Sequence, residues 1–161
     1  MQFNQATDYA FRVVLHLAGL PLGTIVNGQA LAQAEHIPHR FLQKIMRSLL
    51  QADIIRSYRG VEGGFSLNRP AEELSLYDVA TAMEGPIEIN RCLQPDQSCT
   101  RRYKEQCPVH AELYRIQKRL IADLQGVTFR DLAAKAAQPE EKAADSYTGY
   151  GLPENRQEGF M

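Results

Sequence analysis

Between His39 and Ala52 the chain repeats apolar residues at helical spacing, and the opposite side of that helix is unusual. Phe41, Leu42, Ile45, Met46 and Leu49 form the apolar stripe, at steps of three and four. Arg40, Gln43, Lys44, Arg47 and Gln51 fall on the other side. Every one of them can donate hydrogen bonds and none is acidic. A solvated helix face ordinarily mixes Glu with Lys, so a donor-only face favours contact with an anionic surface over plain solvation.

The flanking segments narrow the architecture. Residues 5–20 read as a helix with Ala6, Ala10, Val13, Val14, Leu17 and Leu20 at helical steps, Asn4 as cap, and Pro21 and Gly23 as terminators. A shorter helix is expected from about Gly28 to Ala34, capped by Asn27, with Leu31 and Ala34 facing inward. Pro38 fits at the start of the third helix, where a missing N–H costs nothing. After it, Ile54–Tyr58 and Phe65–Leu67 flank the turn Arg59-Gly60-Val61-Glu62-Gly63-Gly64, the pattern of a hairpin. The glycines alone would mean only a tight turn. Helix, short helix, basic helix and hairpin in this order predict a winged helix-turn-helix, whose recognition helix enters the major groove with the hairpin beside it. Arg40, Gln43, Lys44 and Arg47 are the candidate contacts to phosphates and base edges, and Arg59 a wing contact. A fourth helix begins at Ser75, with Asp78 completing a capping box, buries Leu76, Val79, Ala80 and Met83, and stops at Gly85-Pro86.

Charge distribution fits that reading although the total does not. The formal net charge is −1. From His36 to Arg69, six basic residues outweigh Asp53 and Glu62 to give +4, whereas the stretch from Gln138 onward carries −3. A phosphate backbone responds to charge within a Debye length of about 8–10 Å, so the local excess is what counts. At 44% hydrophobic residues the chain can bury a core. Neither a signal peptide nor a membrane span is apparent, and a cytoplasmic protein is expected. No phosphate-cradling glycine loop, nucleophile elbow or paired-histidine metalloprotease motif suggests an enzyme.

Cys92, Cys99 and Cys107 lie within sixteen residues of one another in a polar stretch, with His110 just beyond. Packing cysteines would not cluster in the most polar part of a chain, and a disulfide would leave one thiol over. Thiolates at such spacing favour a soft-metal site. An iron–sulfur cluster, a zinc ion on the three cysteines and His110, and a redox-active thiol set all remain open on spacing alone. Pro108 starts a helix that places Cys107 at its N-terminus, where the dipole favours a thiolate, and Arg101, Arg102 and Lys104 would help hold a negative cluster. Along that helix Val109, Leu113, Ile116, Leu120 and Leu124 form a seam suited to a partner helix. A short capped segment, Thr128–Leu132, follows, and then a tail without periodicity.

Over about residues 1–135 the sequence resembles the Rrf2 family of bacterial repressors. The resemblance rests on Thr7-Asp8-Tyr9-Ala10, Leu42-Gln43-Lys44-Ile45, Arg59-Gly60 with Gly63-Gly64-Phe65, Leu76–Met83, the three cysteines and Thr128–Leu132. It implies a mainly α fold with a small β-hairpin wing. Residues 1–84 would form the DNA-binding domain, 85–107 a cysteine-bearing cluster loop, 108–135 a dimerisation helix and closing segment, and 136–161 a flexible acidic tail. It also implies a homodimer and an iron–sulfur cluster, of two or four irons, on Cys92, Cys99 and Cys107; zinc stays the alternative metal, and a double-stranded, palindromic DNA operator is the expected partner. The fourth ligand would be His110 or, from the other subunit, Asp8. The gaps of six and seven residues between the cysteines are longer than those common in the family.

Overall fold

The computed structural model describes residues 2–94 and 106–138. Helix α1 spans Gln5–Ala18, and the Asn4 side chain accepts from the Ala6 and Thr7 amides at 2.8 and 3.1 Å. It closes on Gly19, ahead of Pro21, so Leu20 belongs to the following loop and not to the helix. Ala10, Val13, Val14 and Leu17 are its buried face. Helix α2 spans Gly28–Ala34 with Asn27 accepting from the Gln29 amide. Its inward residues are Leu31 and Ala32, and Ala34 is exposed, contrary to the expectation from sequence. The core lies between the directions of Leu31 and Ala32 and leaves Ala34 past its edge.

Helix α3, His39–Gln51, buries Leu42, Ile45, Met46 and Leu49. Phe41 is 45% exposed and is not part of the buried stripe. It sits one step round the helix from Leu42, where its ring meets Tyr9 of α1 edge-on at 6.2 Å. Strands β1 (Ile55–Tyr58) and β2 (Gly64–Leu67) pair antiparallel, Ile55 opposite Leu67 and Tyr58 opposite Gly64. The loop before α2 joins them: Val26 and Phe65 exchange two backbone hydrogen bonds of 2.9 Å each. This approach is possible because Gly64 has no side chain; a Cβ there would collide with the Val26 carbonyl.

Helix α4 runs Leu76–Glu84 from the expected capping box, Ser75 N donating to Asp78 at 2.8 Å and Asp78 N to the Ser75 hydroxyl at 3.3 Å. Helix α5 covers Pro108–Gln125 and α6 covers Phe129–Ala137. The closing segment is therefore a full helix that returns to the first domain's core. Phe129 is fully buried there, its amide bonded to the Leu74 carbonyl at 2.8 Å, and Leu76 N reaches Val127 O at 3.0 Å. The core is one cluster shared by α1, α2, α3, the wing base, α4 and α6, with α1 packed against α3, α4 and α6. Burying each of its large aliphatic side chains contributes about 1.5–3 kcal/mol.

Helix α5 stands outside this cluster and contains no buried residue. Its seam divides. Leu113, Leu120 and Leu124 are half-buried, while Val109 and Ile116 are 64% and 48% exposed. Among the described residues no helix is long and apolar enough to cross a membrane.

Candidate nucleic-acid interface and thiol site

The short α2, the turn Glu35–Pro38 and α3 form the helix-turn-helix, and the buried stripe of α3 fixes which residues face out. Arg40, Gln43, Lys44 and Arg47 are all exposed, at positions that a helix stacks on one side. The α3 N-terminus carries no side-chain cap; Phe41 N turns back to the Pro38 carbonyl at 2.9 Å, which leaves the His39 and Arg40 amides at the open end. His39 is exposed at that same end. Helix N-terminal residues are those that reach base edges when such an element enters a major groove.

The hairpin lies next in the chain and packs on α3 through β1. Its turn closes with Gly63 N donating to Gly60 O at 3.0 Å, and Gly60 adopts φ 112°, a region closed to most side chains. Arg59 is exposed at the base of the turn and Val61 fully exposed at its tip. Arg56 on β1 also points to solvent. Sequence reading counted Arg56 in the charge balance but did not single it out, although strand alternation could have done so. The surface thus presents Arg40, Lys44, Arg47, Arg56 and Arg59 from one helix and the adjoining wing. Such an arrangement can neutralise several phosphates of a duplex while Gln43 and the longer donors reach bases.

The thiol region is built from two other elements. A 3-10 turn, Arg91–Leu93, carries Cys92, and Asn90 caps it by accepting from the Arg91 amide at 2.8 Å. Cys107 is the N-cap residue of α5, followed by Pro108 at the first helical position, as the sequence suggested. The turn packs on α5, and Ile89 N donates to the Gln117 side chain at 3.0 Å, tying the two elements together. Cys92 and Cys107 are half-buried free thiols. His110 lies in the first turn of α5 with its Nδ1 buried and without a hydrogen-bond partner among the described residues. A buried ring nitrogen left unpaired is costly, so it calls for a partner beyond the described residues.

Cys99, with Arg101, Arg102 and Lys104, lies outside the described residues, as does the tail from residue 139. Among the described residues no three His, Cys, Asp or Glu side chains come together as a metal-holding group. The donor chemistry of the region nonetheless suits a soft metal: two free thiols, and an imidazole nitrogen with no partner among the described residues, on packed elements. Asp8 is placed differently. It is exposed on α1 and held by Arg12 at 2.6 Å, four residues on. The same guanidinium lies over the Tyr9 ring at 5.4 Å.

Two contacts that no local pattern announced join distant segments near α1. The Glu84 carboxylate accepts from the Thr7 hydroxyl at 2.6 Å and from the Asn4 amide at 2.9 Å, linking the end of α4 to the start of α1. His16 Nδ1 and Glu35 lie 2.7 Å apart, joining α1 to the helix-turn-helix turn.

The family model Rrf2, described as an iron-dependent transcriptional regulator, matches residues 3–135. The candidate HTH-type regulator Rv1287 of Mycobacterium tuberculosis is 39% identical over 87 residues, and the match covers 54% of each chain, so it spans about half of that relative's length. The Lactococcus lactis candidate regulator YffB is 30% identical over 136 residues, covering 83% of this chain and 87% of its own. Among solved structures, the cysteine regulator CymR of B. subtilis aligns with TM-score 0.66 at 22% identity, covering 84% of this chain and 98% of its own. The T. potens IscR aligns at 0.65 with 20% identity, covering 88% and 94%. At such identities the two structures speak for the fold.

Proposed function

The chain belongs to the Rrf2 family of transcriptional regulators, and from that premise we propose that it is a homodimeric repressor whose grip on a palindromic operator is set by an iron–sulfur cluster. The DNA-binding half rests on the donor-only face of α3 beside the basic wing. Arg40, Gln43, Lys44 and Arg47 read the major groove, and Arg59 contacts phosphate or the adjacent minor groove. The partner copy docks along α5, where Val109 and Ile116 remain exposed after the rest of the seam is half-covered by its own chain.

The cluster half is carried by one observation, the buried Nδ1 of His110, which has no partner among the described residues and lies on the helix whose N-cap is Cys107. Cys92, Cys99 and Cys107 supply three thiolates and His110 the fourth ligand. Asp8, already engaged by Arg12, is left to its ion pair. When bound, the group supplies redox and nitric-oxide reactivity and sensitivity to iron supply. The chain's own residues orient it: the Ile89–Gln117 hydrogen bond holds the Cys92 turn against α5. A protein of this kind acts in the cytoplasm.

A second reading places zinc, or a bare thiol pair, in the same region, since three cysteines and a histidine also complete a tetrahedral zinc set. Iron, acid-labile sulfide and zinc per chain, with the visible spectrum of protein purified without air, separate the two. Near-equal iron and sulfide with a broad visible band support the cluster. Zinc alone, or no metal after anaerobic reconstitution, overturns it and leaves a winged-helix regulator. Loss of the cluster should then change operator affinity in a gel-shift titration; identical curves for loaded and stripped protein would remove the gating.

A further inference from the structure

The loop after α1, the end of β2, the 3-10 turn Ala71–Glu73 and the start of α6 line a cavity of about 310 Å³, half open to solvent, that shares no lining residue with either site above. Its walls are aliphatic, from Leu20, Leu22, Leu67 and Pro70, and two side chains of opposite charge, Glu72 and Arg130, complete the lining. We propose that this cavity binds a small zwitterion with an aliphatic side chain, the chemistry of a free aliphatic amino acid.

Three features point to that class. Glu72 and Arg130 line one cavity yet are not paired with each other, nor with any other group among the described residues. A lone anion would face Glu72 and a lone cation would face Arg130; a molecule bearing both charges satisfies both. The size stands at the lower end of the roughly 300–1,000 Å³ typical of ligand pockets, which suits a molecule as small as an amino acid. Leu22 is 60% exposed at this cavity, a large apolar group that an aliphatic ligand would cover.

The cavity is also joined to the DNA-binding face. Leu67 is the last residue of β2 and pairs with Ile55 at the base of the wing, and Pro70 caps the turn that follows.

The test is calorimetric titration of the full-length protein with L-leucine, L-valine and L-methionine, then with N-acetylleucine and leucinamide, each lacking one charge. Saturable binding of one ligand per chain is expected, weakened at least about tenfold by removal of either charge. Arg130→Gln should make leucine and leucinamide bind alike, and Glu72→Gln should do the same for leucine and N-acetylleucine. Both side chains are exposed, so neither change threatens the fold. No saturable binding of any of the three amino acids at tens of millimolar would overturn the proposal. Binding indifferent to both variants would overturn it too, as would binding abolished by Cys92→Ser with Cys107→Ser, which would move the ligand to the thiol region.

Discussion

His110 and Asp8 compete for one role, and their surroundings differ. Asp8 spends its charge on Arg12 at the surface, whereas the Nδ1 of His110 is buried with no partner among the described residues. His110→Ala should therefore lower the iron and sulfide retained per chain by several-fold in air, while Asp8→Ala leaves both near wild type. The reverse result would make Asp8 the ligand. The Asp8–Arg12 pair itself contributes only about 0.3–0.5 kcal/mol, so Asp8→Ala should barely move the melting temperature. Thr7 is fully buried, and its hydroxyl reaches Glu84. Thr7→Val keeps the volume but strips one of the two donors on that carboxylate, and should cost about 1 kcal/mol in urea unfolding. A change within error would show that solvent replaces the bond. Such contacts mark where sequence reading stops. The caps at Asn4, Asn27 and Ser75 were legible because a cap and its amides lie within three residues. The Thr7–Glu84 bond spans 77 positions and leaves no local signature. Phe41 and Ala34 were misplaced because periodicity fixes a stripe but not its edges.

Helices α3 and the wing act as one element, and here sequence and structure agree closely. The two-sidedness of α3, Phe41 apart, made its outward polar residues readable, since a helix period admits one apolar face. The wing was readable as a hairpin, but its third partner was not. Val26 pairs with Phe65 from a loop that has no strand pattern, and Gly64 serves that close approach rather than the turn alone. Gly64→Ala would push against the Val26 carbonyl, so it should destabilise the fold by more than about 1 kcal/mol and loosen the wing. Arg59→Ala removes charge without touching the core. On a duplex carrying the operator it should weaken binding and reduce the slope of log affinity against log salt by about 1. An unchanged slope would take the wing off the phosphate backbone.

The whole molecule is organised by how α5 is held. Its middle is tied to the segment that leads into the Cys92 turn, through Ile89 and Gln117. Its end leads through Val127 to Phe129, which is buried in the same core as the recognition helix. A helix held at its middle and beyond its C-terminal end but burying no residue of its own leaves Val109 and Ile116 exposed, and these need a covering surface. In the proposed dimer that surface is a second copy, which sets the spacing of two recognition helices on two half-sites. Placing Glu at both Val109 and Ile116 puts like charges across such a seam while leaving the chain's own core intact. Sedimentation should then report a monomer with its melting transition retained. Operator affinity should fall by about 10²–10⁴-fold, because the second half-site contact is no longer intramolecular. If the variant stays dimeric, the copies meet elsewhere, and the exposed flank of α5 serves another partner. If it becomes monomeric yet binds the operator undiminished, a single winged helix suffices for recognition, and the palindrome is not what the protein reads.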